Sequence, residues 1–228
     1  MRIGILGPTE REIMPFVSKI ESKELQKHAM VNFYTGNYEN TEVVAAFSGV
    51  CKVNAAIVTQ IMIDKFDVTH FILTGVAGGL DERLKIGDIV IANEIAYHDV
   101  KEEILTEYHP WMEDIYFKTD NTMAQELIDI SKSTYLANKC HIGRIITGEA
   151  FITENERDKL IDKFKPLCVD MESAAVAHVC YANSIPFIVI RSISDFANEN
   201  GSDSFESNME AAALNSLFLI ESLIKKYS

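Results

Sequence analysis

Three carboxylates follow three strand-like apolar segments of the chain. Glu12 comes after the segment 3–6, Glu172 after a short apolar run, and Asp195 after the segment 188–193. In open α/β sheets, ligands bind beyond the carboxyl ends of the strands, so we expect these three side chains to converge on one pocket. Carboxyl groups in different environments can serve as a general base and a general acid. Convergence of the three side chains at this edge of a sheet would allow acid–base chemistry, and it is the expectation that the structure must test.

Each acid also has a purely structural interpretation. Thr9 and Glu12 fit the T-x-x-E capping box, in which the glutamate returns to the backbone at the start of a helix. Glu172 falls in the first turn of a predicted helix, where the helix dipole favours a carboxylate. Asp195 can cap a turn within residues 194–198. For each acid, the structural interpretation and the shared-pocket interpretation both remain open. Whether the three side chains lie close together in the fold distinguishes the two.

Two glycine-containing segments follow predicted strands, at residues 4–7 and 74–79. Neither completes G-x-G-x-x-G or G-x-x-x-x-G-K-[ST], so a dinucleotide or nucleoside-triphosphate site is disfavoured. Such glycines permit a close approach of the backbone to a small ligand. His98 and Asp99 are interpreted as a satisfied surface or interface pair, because no serine or cysteine stands in a nucleophile-like context.

The charge balance excludes several classes of partner. With 21 basic and 34 acidic residues, the formal net charge is −13, so the surface should repel nucleic acid and anionic membranes. The cysteines at positions 51, 140, 168 and 180 lack C-x-x-C spacing and are interpreted as reduced thiols. The sequence contains no run of about 18 apolar residues and no cleavable signal segment, so a cytoplasmic protein is expected.

The elements that must position the three acids alternate between short apolar runs and longer amphipathic segments, which is typical of the α/β class. A hairpin among parallel-type strands predicts a mixed central sheet flanked by helices. Residues 98–117 are expected to form an irregular loop over a site or an interface. With no repeat or linker, residues 1–228 are expected to form a single domain.

Strands are predicted at residues 3–6, 31–35, 42–47, 71–74, 87–92, 142–147, around 169 and at 186–192. Helices are predicted after the first strand, with Ile13, Phe16, Val17 and Ile20 on one face, and at 54–65, 122–135, 171–183 and 205–227, the last with Leu214 in its buried stripe.

Five blocks, taken together and in order, resemble the nucleoside phosphorylase superfamily. They are IGILG at 3–7 with Glu10, Arg11 and Glu12, TGVAGGL at 74–80, GDIV at 87–90, TGEAFI at 147–152, and DMESAA at 170–175 with RSISD at 191–195. Within the superfamily, nearly the whole chain resembles the methylthioadenosine/S-adenosylhomocysteine nucleosidases. The resemblance implies a three-layer fold and hydrolysis of 5′-methylthioadenosine and S-adenosylhomocysteine to adenine and a 5-thioribose product. It also implies a homodimer and a place in methionine salvage, with no metal or organic cofactor.

The resemblance assigns a role to each acid. Asp195 would protonate or hydrogen-bond N7 of adenine, Glu172 would hold the ribose hydroxyls, and Glu12 would activate the attacking water. Arg191 would lie near that water and the carboxylates. This division suits the chemistry, because rupture of an N-glycosidic bond leaves an oxocarbenium-like sugar and an electron-rich base that needs a proton.

The same resemblance implies a mostly apolar wall around the nucleoside. Phe151 would stack on adenine, the backbone beside Ile152 would read the edge of the base, and Met171 would pack under the sugar. The loop at 100–115, contributed partly across a dimer interface, would shape the pocket for the 5′ substituent. The other substrate-binding residues on this wall would be Phe205, Val76 and Val50.

The chain departs from the family pattern near the predicted site. Thr9 stands where many relatives carry Met, Cys51 where they carry Gly, and Val76 where Ser is frequent. Asp170 is one methylene shorter than the usual Glu. The side chain of Val76 cannot donate or accept a hydrogen bond, so it cannot hold a water molecule or the sugar as a serine would.

Three alternative functions remain open. A purine nucleoside phosphorylase would need a cluster of donors for phosphate, usually arginines, whereas Glu12 occupies the water side here. A hydrolase of another 5′-modified adenine nucleoside, such as aminodeoxyfutalosine, would differ in the loop at 100–115. A nucleoside-binding sensor without catalysis would have no need of a general base, so the presence of Glu12 argues against it.

Overall fold

Strands and helices alternate along most of the chain, as the apolar pattern predicts. The computed structural model describes residues 1–152, 154–198 and 201–228. The strands are β1 (Arg2–Gly7), β2 (Glu21–His28), β3 (Val31–Tyr38), β4 (Thr41–Phe47), β5 (His70–Gly79), β6 (Ile89–Tyr97), β7 (Phe117–Lys118), β8 (Cys140–Thr147), β9 (Cys168–Asp170) and β10 (Phe187–Asp195). The helices are α1 (Glu10–Val17), α2 (Lys52–Phe66), α3 (Asn121–Lys132), α4 (Glu154–Phe164), α5 (Ser173–Ala182) and α6 (Gly201–Lys226), with one π-helical turn at Ile104–Tyr108.

The described strands form one mixed sheet, which confirms the predicted fold class. β1 lies parallel between β4 and β5, and the hairpin of β3 and β4 extends the sheet toward β2. On the other side, β5 pairs with β10, β10 with β6, β6 with β8, β8 with β9, and β9 again with β5. Five strands therefore close into a ring, a feature that the sequence pattern did not predict.

β5 belongs to both parts of the sheet, and a gap opens along one of its sides. β1 pairs with residues 70–73 of β5, whereas β9 pairs with Gly78 and Gly79. Within the described residues, neither strand pairs with the backbone at 74–77 on that side. The backbone groups left there are available to side chains, and this gap marks the position of the site.

Helices cover both faces of the sheet because its central strands are apolar on both sides. Phe71 and Leu73 of β5 belong to the cluster that includes α2 and α5, whereas Ile72 points to the opposite cluster with α1, α3 and α6. This alternation follows from the two-residue repeat of a strand. The result is the expected three layers, helix, sheet and helix.

Several elements differ from the sequence prediction. The edge strand β2 was missed because each of its side chains is exposed or half-exposed, which leaves no apolar alternation to detect. The helix α4 was missed as well, because its sequence is rich in charge. α1 ends at Val17, so Ile20 is buried beyond the helix rather than on its face. The prediction that Leu214 is buried was wrong, since that side chain is 53% exposed.

The segment 98–117 is irregular, as predicted, apart from its π-helical turn and the start of β7. Within the part of the chain that the structure describes, no helix is both long enough and apolar enough to cross a membrane.

Candidate active site

A cavity of about 340 Å³ lies where β1, β9 and β10 end beside the gap along β5. Its size is that of a pocket for a small molecule. All the predicted site residues except Arg191 line this cavity. These residues are Glu12, Val50, Val76, Phe151, Ile152, Met171, Glu172, Asp195 and Phe205.

Glu12 closes the start of α1 and faces the cavity at the same time. One carboxylate oxygen accepts hydrogen bonds from the backbone N–H of Thr9 at 2.9 Å and from its hydroxyl at 2.6 Å. The other oxygen accepts from the backbone N–H of Val76 at 3.0 Å, within the gap along β5. Burial raises the pKa of Glu12, while the charge of Arg191 and these hydrogen bonds oppose the rise. Glu12 therefore completes the predicted capping box and also lines the cavity, while its role as general base stays a prediction.

Arg191 lies behind the cavity wall and is fully buried. Its Nε donates to Asp170 at 2.7 Å, its Nη2 to Glu172 at 3.1 Å and its Nη1 to the carbonyl of Thr74 at 3.3 Å. A buried cation needs such partners, because an unpaired charge in an apolar interior is costly. The guanidinium thus holds two carboxylates in place and contributes positive charge near Glu12.

Asp170 organises this network, a role that the sequence did not reveal. Besides Arg191, its carboxylate accepts hydrogen bonds from the hydroxyls of Thr147 and Ser173 and from the backbone N–H of Ser173. The side chain is shorter than the usual glutamate of the family pattern, yet it reaches Arg191 directly. The signals available in the sequence were its position at the end of β9 and its place in the block at 170–175.

Glu172 stands at the N-cap of α5, one position before the first turn in which it was predicted. Its Oε1 accepts a hydrogen bond from the backbone N–H of Cys51 at 2.9 Å, and Oε2 accepts from Arg191. Burial raises the pKa of Glu172 to about 7, against the opposing charge of Arg191. Cys51 supplies this contact from a backbone with φ of +82°, so its backbone contributes to the site although its side chain departs from the pattern.

Gly75 lies next to both Glu12 and Arg191 at the gap along β5. Its φ is +148°, and a Cβ placed there would lie 2.5 Å from Oε1 of Glu12 and closer still to Nη1 of Arg191. Only a residue without a side chain allows both groups to approach the strand here. The groups that approach this glycine are side chains of the protein, so the predicted approach of a small ligand to the backbone stays a prediction.

Asp195 is the last residue of β10 and, like Ile152, lines the cavity. Its Oδ1 accepts a hydrogen bond from the backbone N–H of Ala197 at 2.8 Å, and its Oδ2 accepts from the hydroxyl of Ser194 at 2.9 Å. The bond to Ala197 is the turn that the sequence predicted. Burial raises the pKa of Asp195, and the two hydrogen bonds only partly oppose this. A carboxyl group in such a setting can keep a proton to donate.

The remaining walls are mostly apolar. Phe151 is 59% exposed at the mouth, and its ring meets that of Phe205 edge to face at 6.1 Å between centroids. Val76 contributes an apolar side chain to the cavity, while its backbone N–H supports Glu12. The cavity thus combines aromatic side chains with three buried carboxyl groups, those of Glu12, Glu172 and Asp195.

The predicted His98–Asp99 pair does not form. Asp99 instead accepts hydrogen bonds from the ammonium of Lys52 at 2.8 Å and from the backbone N–H of Glu149 at 3.0 Å. Within the described residues, Nε2 of His98 is buried without a hydrogen-bond partner. Neither side chain lines the cavity.

The chain is similar to known proteins over its full length. Residues 2–225 match the Phosphorylase superfamily. A 5′-methylthioadenosine/S-adenosylhomocysteine nucleosidase of Staphylococcus aureus is 36% identical, over 98% of this chain and 99% of the relative. The crystal structure of the corresponding nucleosidase of Helicobacter pylori superposes with a TM-score of 0.92 at 31% identity, over 99% of this chain and 98% of that one. A futalosine hydrolase of Helicobacter pylori also superposes with a TM-score of 0.92, at 30% identity and with the same coverage.

The ordered blocks, the mixed sheet and the full-length similarity agree with one another. The chain belongs to the phosphorylase superfamily and, within it, to the family of the 5′-methylthioadenosine/S-adenosylhomocysteine nucleosidases.

Proposed function

We propose that this protein hydrolyses the N-glycosidic bond of 5′-methylthioadenosine and S-adenosylhomocysteine, releasing adenine and the 5-thioribose product. The observation that carries the proposal is that Glu12, Glu172 and Asp195, which are distant in sequence, line one cavity. Full-length similarity to nucleosidases with these substrates in their names supports it.

At the base, Asp195 acts as the general acid. Burial raises the pKa of its carboxyl group, which favours the protonated form that a general acid needs. As the bond between C1′ of the ribose and N9 of adenine breaks, this proton moves to N7, so the base leaves as neutral adenine. Phe151 covers the face of the base, and the backbone beside Ile152 binds its edge.

At the sugar, Glu172 binds the ribose, and Glu12 activates the water molecule that attacks it. Glu172 accepts hydrogen bonds from the ribose hydroxyls, and both carboxylates stabilise the positive charge that develops on the ring. Glu12 takes a proton from a water molecule while the oxygen of that water bonds to C1′. Arg191 is a positioning residue in this scheme, because it holds Glu172 and adjusts the charge around Glu12.

Water rather than phosphate is the proposed nucleophile. The wall beside C1′ carries the carboxylate of Glu12, which would repel phosphate. The guanidinium of Arg191 is fully buried and already bonded to Asp170, Glu172 and Thr74. Arg11 is the one basic side chain among the described residues that line the cavity, and it is shared with Glu206 and Glu210. A phosphate site usually needs a cluster of such donors rather than one.

The test is release of free base by the purified protein from 5′-methylthioadenosine, S-adenosylhomocysteine, adenosine and inosine, with and without phosphate. We expect adenine from the first two substrates in phosphate-free buffer. Base release that requires phosphate would overturn hydrolysis, and tight nucleoside binding without release would indicate a sensor.

A hydrolase of another 5′-modified adenine nucleoside is the second candidate, since a futalosine hydrolase superposes as well as a nucleosidase does. Adding aminodeoxyfutalosine to the substrate panel separates the two. We further propose that the protein acts as a homodimer in the cytoplasm, in methionine salvage. Light scattering of the purified protein tests the dimer, and a monomer with full activity would contradict it.

A further inference from the structure

The mouth of the cavity carries two charged side chains that the reaction does not use. Among the described residues that line the cavity, the charged ones are Arg11, Glu12, Asp170, Glu172, Asp195 and Glu206. Four of these form the acid–base site or its support. Arg11 and Glu206 remain, and no step of hydrolysis at C1′ needs them.

Arg11 and Glu206 form an ion pair between α1 and α6. Nη2 of Arg11 donates to Glu206 at 3.0 Å, and Nη1 lies 3.8 Å from Glu210. The side chains of Arg11 and Glu206 are 45% and 63% exposed. An exposed ion pair of this kind contributes little to the free energy of folding. A ligand can therefore bind Arg11 and Glu206 without a large loss of stability. Arg11 also occupies the first turn of α1, where the helix dipole disfavours a cation.

The proposed roles of the other charged side chains leave Arg11 and Glu206 for the 5′ substituent. In the proposed function, Asp195 and Ile152 face the base, and Glu172 and Glu12 face the ribose. Phe205 and Met209 of α6 line the same cavity as the pair. A thioether chain fits these apolar side chains, and a longer chain would extend to the charged pair at the mouth.

We propose that Arg11 and Glu206 form a subsite for the zwitterionic amino-acid end of a 5′-thioether substituent, as in S-adenosylhomocysteine. This inference rests on the proposed function. The α-carboxylate of the ligand binds the guanidinium of Arg11, and the α-ammonium binds Glu206. Together with Glu210, the three side chains have a formal charge of −1, which disfavours a substituent that carries a carboxylate alone. The pair therefore selects zwitterionic over purely anionic substituents.

The test compares three substrates on Arg11→Met, which keeps the length of the apolar stem. The substrates are S-adenosylhomocysteine, 5′-methylthioadenosine and 5′-butylthioadenosine, the last as a neutral chain of similar length. We expect the ratio of kcat/KM for S-adenosylhomocysteine to kcat/KM for 5′-methylthioadenosine to fall about fivefold to tenfold, the range for a solvent-weakened charge-assisted hydrogen bond. The corresponding ratio for 5′-butylthioadenosine should stay within twofold.

The matched control is Arg83→Met. Arg83 is another exposed arginine in an ion pair, with Asp81, and it lies outside the cavity. It should leave every ratio unchanged. Glu206→Gln should lower the ratio of kcat/KM for S-adenosylhomocysteine to kcat/KM for 5′-methylthioadenosine. It should also lower kcat/KM for decarboxylated S-adenosylhomocysteine, which keeps only the amine. The kcat/KM for deaminated S-adenosylhomocysteine, which keeps only the carboxylate, should stay the same or rise.

Equal loss for all three substrates in Arg11→Met, with a lower Tm, would show that the pair only joins α1 to α6 and would overturn the proposal. No change in the ratio would overturn it as well. The same ratios measured as Kd values in an Asp195→Asn background decide the question without turnover. If the wild-type protein releases no adenine from either substrate, the proposed function fails, while the Kd ratios still test this subsite.

Discussion

Gly75 offers the sharpest test of how the site is built, because its lack of a side chain leaves room for both Glu12 and Arg191. In Gly75→Ala, the new methyl group would lie 2.5 Å from Oε1 of Glu12, nearer still to Nη1 of Arg191, and 3.0 Å from Cδ of Pro8. Glu12 cannot rotate away freely, since Thr9 and Val76 hold both of its oxygens. Arg191 is fully buried, with three hydrogen-bonded partners.

The magnitude follows from these distances. Restoring an ordinary contact requires Glu12 to move by roughly 1 Å, and a displacement of that size in a catalytic group costs about 100-fold in turnover. Overcrowding adds about 1–3 kcal/mol of destabilisation, and a non-glycine residue at a φ of +148° adds about as much. At about 2–4 °C per kcal/mol for a chain of this length, we expect the Tm to fall by roughly 4–24 °C.

The assay measures adenine release from 5′-methylthioadenosine together with thermal unfolding. Gly87→Ala is the matched control, because Gly87 also has a positive φ of +84° but, among the described residues, a Cβ there would meet only Asn215, at 3.4 Å. That variant should lose stability through backbone strain alone and keep its turnover. Wild-type turnover in Gly75→Ala, with a loss of stability no larger than that of Gly87→Ala, would refute the described geometry.

Three further perturbations probe the charges of the site. Asp195→Asn keeps a carbonyl oxygen for the turn but removes the proton donor, so we expect turnover to fall by about 10²- to 10⁴-fold while nucleoside binding by calorimetry is retained; normal turnover would remove Asp195 from the mechanism. Thr9→Val removes a hydrogen bond that lowers the pKa of Glu12, so the acidic limb of the kcat/KM profile should move to higher pH, and an unmoved limb would argue against Glu12 as the base. Arg191→Met leaves buried carboxylates without their cation, and it should cost about 3–5 kcal/mol in the free energy of unfolding. Because the pKa of Glu172 would then rise further above its unfolded value, urea denaturation should show a smaller loss at pH 5 than at pH 8, and equal losses would contradict this coupling.

The local pattern of the chain was enough to predict the class of the fold and most of its elements. Apolar runs such as the one in β10 predict buried strands, and the T-x-x-E spacing of Thr9 and Glu12 predicts the start of α1. These features depend on residues close together in sequence. β2 and α4 carry little apolar periodicity, so the same reasoning missed them.

The arrangement of the site depends on contacts between residues far apart in the chain. Glu12 meets the backbone of Val76 across 64 positions, and Glu172 meets that of Cys51 across 121. Periodicity shows which face of an element is buried, but it carries no information on strand order or register. Only the folded sheet shows that β5 is left open between β1 and β9. That opening allows Glu12 and Arg191 to approach the strand at Gly75, and it explains why carboxylates with separate structural roles share one cavity.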